Sequence, residues 1–136
     1  MNDIYQKNFI KMEKLGIFRV EDYKKIKSEG YMDFVIEVIG KGESWADYSL
    51  AHYFEQNGDL MADPEMVVRV FSNTKSAYAL SYKLDSLGVN QEVYIERNSE
   101  RLVNVRLRKQ LNSFLGMWLG NLISQGFSVG GGERDD

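Results

Sequence analysis

The chain has 136 residues, 43% of them hydrophobic and 12% aromatic, which is enough apolar mass for the core of one domain and too much for a disordered segment. Seventeen Lys and Arg against twenty Asp and Glu leave a net charge of −3, which disfavours a globally basic nucleic-acid binder but not a local basic patch. Cysteine is absent, so disulfides, thiolate metal sites and cysteine nucleophiles are excluded and a reducing, cytoplasmic setting is expected.

No apolar run reaches the ~18–20 residues of a membrane span, and the first residues do not read as a signal peptide. Asn2 or Asp3 can cap a helix over Ile4 to Leu15, where Tyr5, Phe9 and Met12 recur at helical spacing and Gly16 suits the position beyond the last turn. A second, short helix is predicted over Glu21 to Ser28, around Tyr23 and Ile26. From Tyr31 the period shortens to two. Phe34, Ile36 and Val38 alternate with Asp33, Val35 and Glu37, and after the turn Gly40–Ser44 the set Tyr48, Leu50, His52 and Phe54 completes a hairpin.

Asn57-Gly58 is a turn dipeptide, since both residues tolerate positive φ. Pro64 lacks a ladder donor and is expected at the edge of the next strand rather than within it. That strand, Glu65 to Phe71, places Met66, Val68 and Val70 on one face and Arg69 on the other. A fourth strand runs from about Ala77 to Leu84 with Tyr78, Leu80 and Tyr82 sharing a face, and Val93 to Ile95 supply a short fifth.

The C-terminal pattern is the strongest. Val103, Leu107, Leu111, Phe114, Leu115, Trp118 and Leu122 form an apolar stripe along about five turns of helix, ended by Gly126. Such a stripe must be buried, and the sheet offers the matching surface. The expected fold is α+β: an antiparallel sheet of four to five strands with the N-terminal helix and the long C-terminal helix packed on one face. Residues 1–127 form the domain, and the glycine-rich 128–136 reads as a loose tail.

Four groups of residues could carry function. His52, Asp59, Asp63 and Glu65 supply nitrogen and oxygen ligands suited to a divalent metal, although turn-capping carboxylates and a rim histidine are the favoured account of them. Arg97, Arg101, Arg106, Arg108 and Lys109, with Tyr94 nearby, suit a nucleic-acid backbone or a solvated helix face. Ser113, Gly116 and Gly120 lie opposite the apolar stripe, where glycine's ~0.8–1 kcal/mol helix penalty calls for a close neighbour, either the N-terminal helix or a second copy in a homodimer. Trp45 and Tyr53 form a candidate aromatic platform. His52 is the only histidine and no Gly-x-Ser-x-Gly turn occurs, so a serine nucleophile is unsupported. Gly40-Lys-Gly42 separates two strands and reads as a turn rather than a phosphate loop.

Three segments, Asp63-Pro-Glu-Met-Val-Val-Arg-Val70, Ala79-Leu-Ser-Tyr82 and Gln110-Leu-Asn-Ser-Phe-Leu-Gly-Met-Trp-Leu119, resemble the YqiB-like bacterial family of unknown function. His52-Tyr-Phe-Glu-Gln-Asn-Gly-Asp-Leu-Met-Ala-Asp-Pro-Glu-Met66 resembles uncharacterised small proteins of conjugative transposons and plasmids in Gram-positive bacteria. The resemblance implies a bacterial, cytoplasmic α+β domain and transfers no catalytic residues. The expectation is therefore a non-enzymatic interaction or regulatory domain with a protein partner, no cofactor and no membrane contact. A small metal-dependent enzyme and a single-stranded nucleic-acid binder are the alternatives.

Overall fold

The structure is a computed structural model and describes residues 2–130. Helix α1 (Ile4–Leu15) opens on a reciprocal cap in which Asp3 accepts from the Gln6 amide and Gln6 accepts from the Asp3 amide. It ends at Gly16, whose φ of 80° lets its amide close the last turn. Strands β1 (Tyr23–Ile26), β2 (Phe34–Lys41), β3 (Trp45–Gln56), β4 (Asp59–Phe71), β5 (Ser76–Leu84) and β6 (Val89–Glu92) pair in sequence order as a six-stranded antiparallel meander. Strands β7 (Tyr94–Arg97) and β8 (Glu100–Val103) form a separate hairpin, and α2 (Val105–Ser124) closes the chain.

Both helices lie on one face of the sheet. Met12 and Leu15 from α1 and Leu115, Leu119 and Leu122 from α2 share one core with Phe34, Ile36, Leu50, Met66 and Val68. Each large side chain buried there contributes ~1.5–3 kcal/mol of transfer free energy. The stripe on α2 does what its spacing requires: Trp118 meets Phe34 edge-on and Phe114 meets Tyr82. Asn112 interrupts that stripe for a reason. It is fully buried, its Oδ1 accepts the Ala79 amide at 2.9 Å, and its Nδ2 donates to the Arg108 carbonyl at 2.7 Å.

The main sheet has six strands rather than four or five, and both of its edges, β1 and β6, are additions to the four expected strands. The helix expected over Glu21 to Ser28 is strand Tyr23–Ile26, because pairing with Phe34–Glu37 and burial of Ile26 outweigh local propensity. Its two lysines, with Lys27 just beyond, suit an edge strand, where charge discourages further pairing. Pro64 lies inside β4, not ahead of it, at the register shift opposite Ala51–Tyr53, where no ladder donor is needed.

A second shift between Val67 and Val68 leaves Leu80 unpaired, so Tyr78 pairs with Arg69 on the face opposite the core, reaching only Tyr5 of α1, while Tyr82 pairs with Met66 on the core face. The three residues Tyr78, Leu80 and Tyr82 therefore do not share a face. The expected fifth strand at Val93–Ile95 is divided: Val93 is a buried pivot, and Tyr94 and Ile95 belong to the β7–β8 hairpin. Val103 closes β8, and α2 starts after Asn104, whose side chain accepts the Leu107 amide. The expected tail begins too early, since Val129 is buried and its amide donates to the Leu15 carbonyl at 2.8 Å; the remaining tail residues 131–136 lie outside the described residues.

Candidate functional site

The side of the sheet away from the helices carries a row of polar and aromatic side chains fixed by register. Asp47, Arg69 and Tyr78 stand opposite one another on β3, β4 and β5. The Arg69 guanidinium donates to both Asp47 oxygens, Nε to Oδ1 at 2.8 Å and Nη2 to Oδ2 at 2.9 Å. It also lies over the Trp45 ring, 4.7 Å from the centroid. The bond to Asp47 raises the Arg69 pKa further above its ordinary value. The result is a planar cation held in one orientation.

The wall across from Arg69 comes from the β7–β8 hairpin. Its first end is tied to β5, where Val93 donates to the Leu80 carbonyl at 2.9 Å, and its second end to the first, where Asn104 donates to the Val93 carbonyl at 2.8 Å. That anchorage presents Tyr94 and its cross-strand partner Val103 to a groove of about 520 Å³, shared with Arg69, Arg101, Phe71, Tyr78 and Leu80. Tyr78 is braced between Phe71, at 5.8 Å edge-on, and Tyr5 of α1, stacked at 4.2 Å. Arg101 sits 4.3 Å over the Tyr94 ring; Glu96 is its cross-strand neighbour, and among the described residues Arg101 forms no ion pair with a carboxylate. The groove offers one cation already satisfied by Asp47, one cation open to a ligand, and rings and aliphatic groups between them. This is recognition chemistry for an anionic group beside an apolar one.

At the opposite end the same face is acidic. Ser49 donates to Glu65 at 3.2 Å, and the Tyr53 phenol is pushed up by burial, with Glu65 and Glu37 adding to the effect. Tyr53 lines a hollow with Tyr23, Asp33 and Glu37, while Trp45 lies under Arg69. The two do not form a common platform.

The four residues considered as metal ligands are not brought together. His52 faces the helices among Phe34, Trp118 and Phe127, its Nδ1 2.9 Å from the Asp33 carbonyl. Glu65 bonds Ser49 beyond the sheet, and Asp59 pairs with Gln56 at the β3–β4 turn. Asp63 lies in the β4 register shift. Alternation along β3 and the shift in β4 separate them, and among the described residues no group of three or more His, Asp or Glu could hold a metal.

The basic cluster is also divided. Arg101 lines the groove, Arg97 stands opposite Glu100 in the strand register near the hairpin turn, and Arg106, Arg108 and Lys109 lie on the first turns of α2. Gly116 meets α1: a Cβ there would lie 2.9 Å from Asn8 Oδ1, and its carbonyl accepts Lys11 Nζ at 2.9 Å. Gly120 lies farther from Lys11 and Ser113 is exposed. Asp47, Arg69, Phe71 and Tyr78 were not singled out from the sequence as site residues. The signal for Arg69 was its parity opposite Met66, Val68 and Val70.

Fold and groove together define an α+β domain with two helices on one face of a meander and an arginine–aromatic groove on the other. The chain belongs to the family described as a domain of unknown function (DUF6908), whose model matches residues 6–128. No curated protein and no solved structure matches it.

Proposed function

We propose that this is a non-enzymatic interaction domain of a bacterial, cytoplasmic protein encoded on a mobile element, and that it captures an acidic protein segment in the groove between β5 and the β7–β8 hairpin. The reading rests on one observation: Arg101, held on Tyr94 and in no ion pair among the described residues, faces a groove whose other cation is already fixed by Asp47. A carboxylate of the partner completes Arg101, and its apolar neighbours fill the space against Tyr78, Phe71 and Leu80. The sequence resemblance supports the mobile-element origin, and the absence of cysteine supports the compartment.

The competing occupant is a single nucleic-acid strand stacked on Tyr94 and Tyr78. It is less favoured because Arg69 is already neutralised and the α2 cations do not line the groove. Fluorescence anisotropy separates the two, using a labelled peptide of alternating Glu and Leu, its Lys counterpart, and an oligothymidylate. The acidic peptide is expected to bind, weakening with salt and about tenfold or more with Arg101→Glu. Preference for oligothymidylate, or equal binding of the Lys peptide, overturns the proposal.

A further inference from the structure

A second cavity, of about 460 Å³, opens on the helix side of the sheet, distinct from the groove. Phe9 of α1, Phe18 beyond it, and Trp45 and Tyr48 of β3 wall it. The rings are already arranged in a series, Phe9 to Phe18 at 4.8 Å and Phe18 to Tyr48 at 5.9 Å. Lys41 and Glu43 stand together on its rim, so the opening carries no net charge.

Two features go beyond a gap in packing. Tyr48 is 6% exposed and lines the cavity, yet among the described residues its hydroxyl has no hydrogen-bond partner. The hydroxyl itself keeps accessible surface, so its donor is free for a ligand in the cavity. Burial also raises its pKa, so the phenol stays protonated further into the alkaline range than a free one. The Trp45 indole, for its part, is fixed: it lies against the Gly42 backbone, where any Cβ would overlap the indole nitrogen, and Gly42 donates to the Trp45 carbonyl at 2.9 Å. The wall is set before anything binds.

We propose that this cavity is a binding site for an uncharged, planar aromatic molecule bearing a hydrogen-bond acceptor, which stacks among the rings and takes the Tyr48 hydroxyl. The cavity is of small-molecule size and mostly apolar, with Tyr48 and Ser72 as its uncharged polar groups. The balanced rim selects against a net charge on the ligand.

Quinoline is the test probe and 1-naphthoate its charged counterpart, followed by NMR through the Trp45 indole N–H. Quinoline is expected to shift that signal saturably and to bind more tightly than 1-naphthoate. Tyr48→Phe, which keeps the ring, should weaken quinoline by about five- to tenfold. Ala46→Leu, which narrows the cavity from β3, should abolish the shift and provides a check independent of Tyr48. Absence of a saturable shift overturns the proposal, as does unchanged binding in Tyr48→Phe. Tighter binding of 1-naphthoate that is lost in Lys41→Gln overturns the ligand class.

Discussion

Asn112 is the polar residue on which the join between α2 and the sheet depends, and Asn112→Ala measures that dependence. Its Oδ1 is the partner of the Ala79 amide, and Ala79 is 1% exposed, so truncation leaves a buried N–H with neither protein nor water to receive it. An orphaned buried donor costs ~1–3 kcal/mol. The amide's own volume adds a small cavity term, while alanine regains ~0.5 kcal/mol of helix propensity. The Asn112 carbonyl that accepts Asn8 Nδ2 at 3.2 Å is backbone and stays. The net expectation is a loss of ~2 kcal/mol, a sizeable share of the 5–15 kcal/mol that holds a domain, and a fall in Tm of about 6–10 °C. Urea unfolding followed by circular dichroism gives the first number. Hydrogen exchange gives the cause, because the Ala79 amide should lose protection while its ladder-bonded neighbours on β5 lose less. A loss below ~0.5 kcal/mol with unchanged Ala79 exchange would refute the assignment.

Gly116→Ala is expected to destabilise by ~1 kcal/mol despite its helix-propensity gain, since the new Cβ meets Asn8 Oδ1 at 2.9 Å; in an Asn8→Ala background the same change should stabilise, a sign reversal that thermal melts of the four proteins would show. Gly42→Ala should cost ~1–3 kcal/mol and alter tryptophan emission, because the Cβ displaces the Trp45 indole. Burial raises the pKa of Tyr48, Tyr53 and Tyr82 above 10.0 in the folded chain, so the unfolded chain ionises first. Stability from these phenols is full below the unfolded value and is lost as pH rises through the folded ones. Alkaline unfolding and phenolate absorbance should move together, with Glu65→Gln lowering the Tyr53 value.

The parts of the fold legible in the sequence are those in which local pattern and burial agree. The capped first helix, the alternation in β2 and β3 and the apolar stripe on α2 each need only one face hidden, and periodicity reports that directly. The Glu21–Ser28 segment failed for the opposite reason. With one firmly buried position, Ile26, it has no period of its own and takes the conformation that its neighbour β2 offers. Tyr78 and Tyr82 failed through register: a single unpaired residue at Leu80 reverses every later parity, and no property of Leu80 itself announces it. The site was hidden by the same limit. Arg69 was visible as the odd residue in an apolar alternation, but its partners Asp47 and Tyr78 are fixed by strand pairing. They lie 22 residues before it and, on β5, after a turn.

Arg69 also shows how the two sides of the sheet divide their tasks. The helix side hides nearly all of the large aliphatic residues, and a charge there would have to be desolvated without return. On the other side a guanidinium can be kept half-buried because Asp47 takes two of its donors and Trp45 takes its face, so the cost of removing it from water is met by fixed partners. A lysine in that place would keep the charge and lose both the fork and the stacking. Trp45 thus serves both surfaces. One contact holds the cation of the groove, and the ring also walls the cavity beside Tyr48. Its position is set by the lack of a side chain at Gly42, so a single glycine in the β2–β3 turn determines the geometry of both candidate sites.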